Sequence, residues 1–287
     1  MPPSQLSIHA HPQLANARMV IGLSGWMDGG EVSTGTLEFL ADLFEAKELA
    51  SIAPDDFYIY NVPGSMEVSS LFRPHATMEE GLITSFEEPQ NRFLFNEEHN
   101  LILFQGKEPN IHWKEYAECI FAIVEAFDVQ LICFAGSIAG LLPHTRPTEF
   151  YCTASNLALR TFAENHNSTP TNYEGPVSIV TYLIKYASER NIDMMTLLAA
   201  VPAYVQGRNF TCIQSAIKRL AVLMNTPMAS STLSELAKEY ERELESFVKS
   251  NPDLAAQIRK LEQAYDNQST DPNNEDMQNW FNKQDIR

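Results

Sequence analysis

Four polar residues with complementary chemistry follow strand-like apolar runs in this sequence. Asp28 and Glu108 carry carboxylates, His144 an imidazole and Arg146 a guanidinium. Gathered in one crevice, such groups could transfer protons or hold a phosphate. In the alternative, structural interpretation, Arg146 pairs with Asp28 or Glu108 to hold the loops together, and His144 is simply hydrogen-bonded. No spacing among these residues is diagnostic of catalysis, so the residue types leave both interpretations open.

The first of these loops belongs to a strand, glycine turn and helix in that order. An apolar run from Met19 to Leu23 is followed by glycines at 25, 29 and 30, and then by a helical pattern from Glu31 towards Phe44. This order opens a parallel α/β sheet and leaves free N–H groups at a helix N-terminus, where an anion is favoured. No hydrolase elbow, phosphate loop or dinucleotide fingerprint is present. The glycines therefore either close a tight turn or border a ligand pocket.

Further apolar runs predict more strands of the same sheet, at 101–104, 129–135 and 194–201. Amphipathic helical patterns at 113–127 and 210–224 separate them. The alternation predicts a three-layer α/β/α sandwich with a mostly parallel central sheet. Alternating aromatic and polar residues predict another strand at 55–62, and short apolar pieces predict small strands or a hairpin within 65–98. In a parallel sheet a ligand binds outside the carboxyl ends of the strands, where the four polar residues are expected.

The two ends of the chain differ in composition from this region. Residues 1–17 form a polar lead-in, and the sandwich is predicted to span 18–227. Residues 228–266 are rich in Glu, Lys, Leu and Ala. They predict a C-terminal helical hairpin that begins with a capping box at Thr232 and Glu235 and turns at Pro252. The Asn-, Gln- and Asp-rich tail at 267–287 predicts disorder.

The overall composition limits the classes of partner. With 44% hydrophobic residues over 287 positions, the chain can bury a large core. Its net charge of −17 argues against nucleic acid and anionic membranes, because both repel an acidic protein. No apolar stretch is long enough to span a membrane, and the N-terminus lacks the pattern of a signal peptide.

The 4 cysteines are widely spaced, and each lies among apolar residues. They form no C-x-x-C pair, and no histidine lies near one at ligand spacing. The sequence therefore predicts no metal site and implies no cofactor. Buried free thiols are typical of a reducing compartment, so we expect a cytoplasmic protein.

Five short motifs occur in order along the chain and coincide with the predicted loops. Together they resemble the signature blocks of the proteasome assembly chaperone two family, in particular of its actinobacterial branch. They are Gly-Trp-Met-Asp-Gly-Gly at 25–30, Gly-Lys-Glu-Pro-Asn at 106–110, Pro-His-Thr-Arg-Pro at 143–147, Tyr-Glu-Gly-Pro at 173–176 and Ala-Val-Pro-Ala-Tyr at 200–204.

The resemblance implies an α/β/α sandwich similar to the nucleoside phosphorylase/hydrolase fold, with a C-terminal helical addition and assembly as trimers. It implies protein clients such as proteasome subunits, and it carries over no established catalytic residue. The motifs and the strand-end argument together give the candidate residues of a ligand pocket or loop network. These are Trp26, Asp28, Gly29, Gly30, Glu108, Asn110, His144, Arg146, Glu174 and Tyr204.

Two functions follow from these observations. The first is a non-enzymatic assembly or scaffolding protein, favoured by the resemblance and by the lack of a catalytic signature. The second is a small-molecule enzyme or ligand-binding protein of the nucleoside phosphorylase/hydrolase-like type, acting at the carboxyl edge of the strands. An enzyme should hold His144 and Arg146 in a deep pocket, whereas a scaffold should use them to bind its own loops or a neighbouring subunit.

Overall fold

The computed structural model of the protein describes residues 3–70 and 72–268. The strands within this part of the chain are β1 (Leu6–Ile8), β2 (Ala17–Ser24), β3 (Lys47–Ile52), β4 (His75–Glu79), β5 (Leu82–Glu87), β6 (Asn91–Asn96), β7 (Leu101–Lys107), β8 (Val129–Gly140), β9 (Phe150–Cys152), β10 (Thr169–Pro170) and β11 (Met194–Pro202). The helices are α1 (Val32–Leu43), α2 (Met66–Ser70), α3 (Trp113–Ala126), α4 (Leu157–Asn165), α5 (Ile179–Ser188), α6 (Phe210–Leu223), α7 (Ser231–Ser250) and α8 (Pro252–Gln268).

The main sheet has the strand order β1-β3-β6-β7-β2-β8-β11-β9-β10. Its centre, β7-β2-β8-β11, is parallel, as the apolar runs predicted. Both flanks contain antiparallel pairs, such as β6 with β7 and β9 with β11. The sheet is therefore mixed, and the prediction of a mostly parallel sheet holds only for its centre. Short connections such as the turn from β6 to β7 permit antiparallel pairing, whereas each parallel pair requires a crossover.

Helices pack on both faces of the sheet. One buried cluster joins the sheet to α3 and α5, through residues such as Tyr116 and Leu183. The other joins it to α1, α4, α6 and α7, through residues such as Leu37, Ile213 and Leu233. The central strands are buried on both faces, which explains why their sequences are apolar without alternation. Similarity to nucleoside phosphorylases and hydrolases stays a prediction.

Several local predictions were wrong. Residues 55–62 form no strand, because Phe57 and Tyr58 are buried as anchors and the carbonyl of Phe57 accepts from the N–H of Asn110. The polar lead-in contains β1, which pairs with β3 and buries Leu6. Helix α7 begins one residue before Thr232, and Ser230 caps it by accepting from the N–H of Leu233.

The prediction of small strands or a hairpin within 65–98 was confirmed. The hairpin expected within 65–98 forms from β4 and β5 as a separate two-stranded sheet. Helix α7 ends at Ser250, and α8 starts at Pro252, where the sequence placed the turn. The tail predicted to be disordered lies outside the described residues from position 269 onwards.

Candidate functional site

Asp28 occupies the anion position that the sequence predicted at the N-terminus of α1. Its Oδ1 accepts from the backbone N–H groups of Ser33 (2.8 Å) and Thr34 (3.0 Å), and its Oδ2 accepts from the Thr34 hydroxyl (2.9 Å). Burial raises the pKa of Asp28 to about 6, against the opposing effect of these hydrogen bonds. A carboxyl with that pKa suits acid–base catalysis. Here, however, both oxygens bind the chain's own helix, so the N-terminus is already occupied by the protein's own anion.

Glu108 joins the loop after β7 to two other loops. Its Oε2 accepts from the backbone N–H of Trp26 and its Oε1 from that of Ile179, both at 3.0 Å. Asn110, two residues later, accepts from the N–H of Ile59 at 3.0 Å. The acidic residue of this motif therefore fixes backbone rather than facing an open crevice.

His144 and Tyr204 form a pair at the ends of β8 and β11. The Tyr204 hydroxyl lies 2.7 Å from the backbone nitrogen of His144, which donates to it, and 2.7 Å from His144 Nδ1. Burial lowers the pKa of His144, while Glu262, Glu245 and Glu241 oppose that shift. Burial raises the pKa of Tyr204. Both shifts favour the neutral forms of the two side chains at physiological pH, which suits a structural hydrogen bond.

The structural interpretation predicted that Arg146 pairs with Asp28 or Glu108. Arg146 instead pairs with α8. Its Nε and one terminal nitrogen donate to the two carboxylate oxygens of Asp266, at 2.8 and 2.7 Å. Glu262 lies 3.7 Å away, and its carboxylate also accepts from the Thr145 hydroxyl. The bidentate pair attaches the end of the C-terminal helix to the loop after β8.

The candidate residues thus lie at one edge of the sheet but form two groups. Asp28 and Glu108 hold the loop after β2, whereas His144 and Tyr204 join the loops after β8 and β11, and Arg146 joins the loop after β8 to α8. No hydrogen bond or ion pair of the described residues joins the two groups. The groups are adjacent, since the Gly30 carbonyl accepts from the N–H of Asn209, which also lines the space beside His144.

The remaining candidates play smaller parts. The Gly29 carbonyl accepts from the Ser137 hydroxyl at 2.7 Å. Glu174 is exposed, and Trp26 retains 59% of its accessible surface. Neither side chain points to catalysis.

The space beside His144 is too small for a substrate of the nucleoside type. It measures about 30 Å³, and Asn209, Cys212 and Tyr240 are among its lining residues. Pockets for drug-sized ligands typically measure roughly 300–1,000 Å³, and a volume near 30 Å³ admits only a water or two. This cavity therefore does not support the enzyme interpretation.

Sequence reasoning missed several partners in this network. Asp266 lies 120 positions from Arg146, and Asn209 and Ser137 each bond to the glycine loop from distant strands and helices. No local pattern marks such pairs, because they depend on how α8 and the loops pack. The strand-end rule predicted only that the loops carrying these residues meet at one edge of the sheet.

Two other kinds of feature are absent from the described part of the chain. It contains no group of three or more His, Cys, Asp and Glu side chains placed to hold a metal ion. Among its helices, none combines the length and the apolar composition needed to cross a membrane.

The fold and this edge define a class: a mixed α/β protein with helices on both faces, whose strand-end loops are bound to one another and to a C-terminal helix. The model of the PAC2 family matches residues 22–248. The chain belongs to the PAC2 family, which confirms the resemblance found in the sequence. A search of curated proteins gives no match.

Solved structures share this fold. A Mycobacterium tuberculosis protein of unknown function is similar with a TM-score of 0.80 at 20% identity, over 93% of this chain and 92% of that one. A proteasome-assembly chaperone homologue from the same organism gives 0.72 at 23% identity, over 84% of this chain and 99% of that one. PbaB, an archaeal proteasome activator from Pyrococcus furiosus, gives 0.62 at 16% identity, over 86% and 99%.

Proposed function

We propose that this protein is a non-enzymatic assembly or scaffolding protein that acts on other protein subunits. The observation that carries the proposal is the use of the carboxyl edge. Asp28, Glu108, His144 and Arg146 each form hydrogen bonds or ion pairs with the chain's own loops and helices. An enzyme would keep such groups directed at a substrate-sized space.

Structural relatives support proteasome subunits as the first clients to test. One is a proteasome-assembly chaperone homologue and another a proteasome activator, and both share the fold. The acidic net charge of −17 favours a neutral or basic client surface.

Exposed apolar side chains on the same edge support a protein-binding role. Trp26 is 59% exposed after β2, Leu141 60% after β8, and Tyr173 49% before α5. The backbone of Trp26 is fixed by Glu108, so its indole is presented on a rigid loop. Large aromatic side chains held in this way often dominate binding energy at protein interfaces.

A binding experiment with a matched pair of variants tests this function. The protein is titrated with proteasome subunits of the same organism, and complex formation is followed by light scattering after size exclusion. We expect a complex that Trp26→Ser weakens by about 2 kcal/mol, roughly thirtyfold in Kd. Leu157→Ser removes a 68% exposed side chain from α4 and should leave binding unchanged. Absence of a complex, or equal loss in both variants, would contradict the proposal.

We also propose self-association, with a trimer favoured by the family resemblance. The β4–β5 hairpin supports it. Ala76 and Met78 share one face of β4, and their cross-strand partners are Phe86 and Ile83. Met78, Ile83 and Phe86 are each more than half exposed. An apolar hairpin face of this kind is stable when it packs on another surface.

Charged substitutions on the two faces of the hairpin test self-association. Ile83→Glu with Phe86→Glu places charges on the apolar face and should reduce the solution mass to that of a single chain. Thr77→Glu with Ser85→Glu alters the cross-strand pair on the opposite face and should leave the mass unchanged. A wild-type protein that is monomeric at micromolar concentration would rule the proposal out.

A further inference from the structure

A long segment between β3 and β6 lies outside the main sheet and forms its own two-stranded sheet. We define the arm as residues 61–90, which contain α2 and the β4–β5 hairpin. No described residue of the arm is buried. Its orientation must therefore be set by the residues at its two ends.

Those two ends are joined by a side-chain hydrogen bond. The Tyr58 hydroxyl donates to Oδ1 of Asn91 at 2.8 Å, across 33 positions of sequence. Tyr58 is 7% exposed and Asn91 2% exposed. We call the two chain segments that enter and leave the arm, at residues 57–60 and at Asn91, its neck. The bond therefore joins both sides of the neck inside the protein, where water does not compete with it.

Stability alone does not explain this buried cluster. Asn91 Oδ1 also accepts from the Tyr116 hydroxyl (3.0 Å) and from the Lys107 N–H (3.1 Å), while its amide nitrogen has no partner among the described residues. An unpaired buried N–H group costs stability, which an apolar residue would avoid. Buried polar groups of this kind can instead select one arrangement of the chain.

The motif at 106–110 lines the space around this buried cluster and contacts the neck. A Cβ on Gly106 would lie 2.8 Å from the Tyr116 hydroxyl and 2.9 Å from Asn91 Oδ1, so glycine leaves room for the cluster. The Lys107 carbonyl oxygen also lies 2.8 Å from the Tyr58 hydroxyl, where it is the alternative acceptor for its single proton. Asn110 binds the next turn of the neck through the N–H of Ile59 and the carbonyl of Phe57.

We propose that residues 106–110 bind the two ends of the arm, and that the Tyr58–Asn91 hydrogen bond, which we call the clasp, holds the arm in one orientation. The arm then keeps a fixed orientation relative to the sheet and does not move as a flexible loop. This role is independent of what the hairpin binds, and it gives the motif a positioning function.

Distance measurements between spin labels test the clasp. Labels are attached at Ser85→Cys in the hairpin and Glu125→Cys on α3, since the native cysteines are all buried. The measurement is made with Ile83→Glu and Phe86→Glu present, and with excess unlabelled protein, so that contacts with another copy do not hold the arm. Tyr58→Phe removes the clasp hydroxyl. Tyr60→Phe is the matched control, because the Tyr60 hydroxyl has no hydrogen bond among the described residues.

We expect one narrow distance in the parent and in Tyr60→Phe, and loss of that single distance in Tyr58→Phe with the melting temperature of the sheet domain nearly unchanged. Asn110→Ala, at an exposed position, should give the same loss, and it replaces Tyr58→Phe if that variant does not fold. A distance that stays narrow in Asn110→Ala and in any folded Tyr58→Phe would overturn the proposal. Equal broadening in Tyr60→Phe would also overturn it.

Discussion

Gly22→Val is expected to destabilise the protein by about 3 kcal/mol or more, because β2 and α1 leave no space for a side chain at this position. A Cβ there would lie 2.4 Å from Leu37 Cδ2 and 2.8 Å from the Ser33 carbonyl oxygen. Leu37 could adjust, but the backbone of Ser33 could not move without shifting α1.

That shift would break further contacts at the start of α1. The Ser33 hydroxyl donates to the Ala135 carbonyl at 2.6 Å and accepts from the N–H of Leu23 at 2.9 Å. Urea unfolding measures the loss. Gly29→Ala is the control on the same loop, since its Cβ would meet only the Ser137 hydroxyl, at 3.3 Å. A Gly22→Val protein no less stable than Gly29→Ala would contradict the packing described for this strand.

Glu108→Ala is expected to cost about 3 kcal/mol, because it removes the acceptor of two backbone N–H groups at once. Ile179 is fully buried, so water could not replace Glu108 as the acceptor for its N–H group. The loop that carries Trp26 would lose its attachment to α5.

Hydrogen exchange at the Ile179 and Trp26 amides, measured together with urea unfolding, checks this prediction. Glu174→Ala is the control: this acidic side chain is exposed and makes no hydrogen bond or ion pair among the described residues, so its loss should change stability by less than about 0.5 kcal/mol. If the Ile179 amide stays protected in Glu108→Ala, the proposed bridge between the loops does not exist.

The centre of the fold could be predicted from the sequence because its strands are buried on both faces. Runs such as Met19–Leu23 and 194–201 are apolar except for Thr196, and both became central strands. The flanks could not be predicted in this way. Aromatic and polar residues alternate over 55–62 as in a strand, yet Phe57 packs on Tyr116 and Tyr58 hydrogen-bonds to Asn91 at the neck of the arm.

The edge of the sheet at which the candidate residues lie could be predicted, but their contacts could not. Parallel strands place their carboxyl ends together, so the strand-end rule identifies the edge without any knowledge of packing. The partner of Arg146 depends instead on the docking of α8, and Asp266 lies at the far end of that helix. Asp28 shows the same limit: the sequence predicts an anion at the start of α1, but not that the chain supplies it.

We propose that the carboxyl edge, closed by the protein's own side chains, does not take a small molecule. A thermal-shift screen against nucleosides, nucleotides and inorganic phosphate tests it most directly. A ligand present at about 100 times its Kd stabilises a protein by about 2.7 kcal/mol, which such a screen detects readily. We predict an unchanged melting temperature with every compound. A saturable rise that Arg146→Ala or His144→Ala abolishes would contradict the claim.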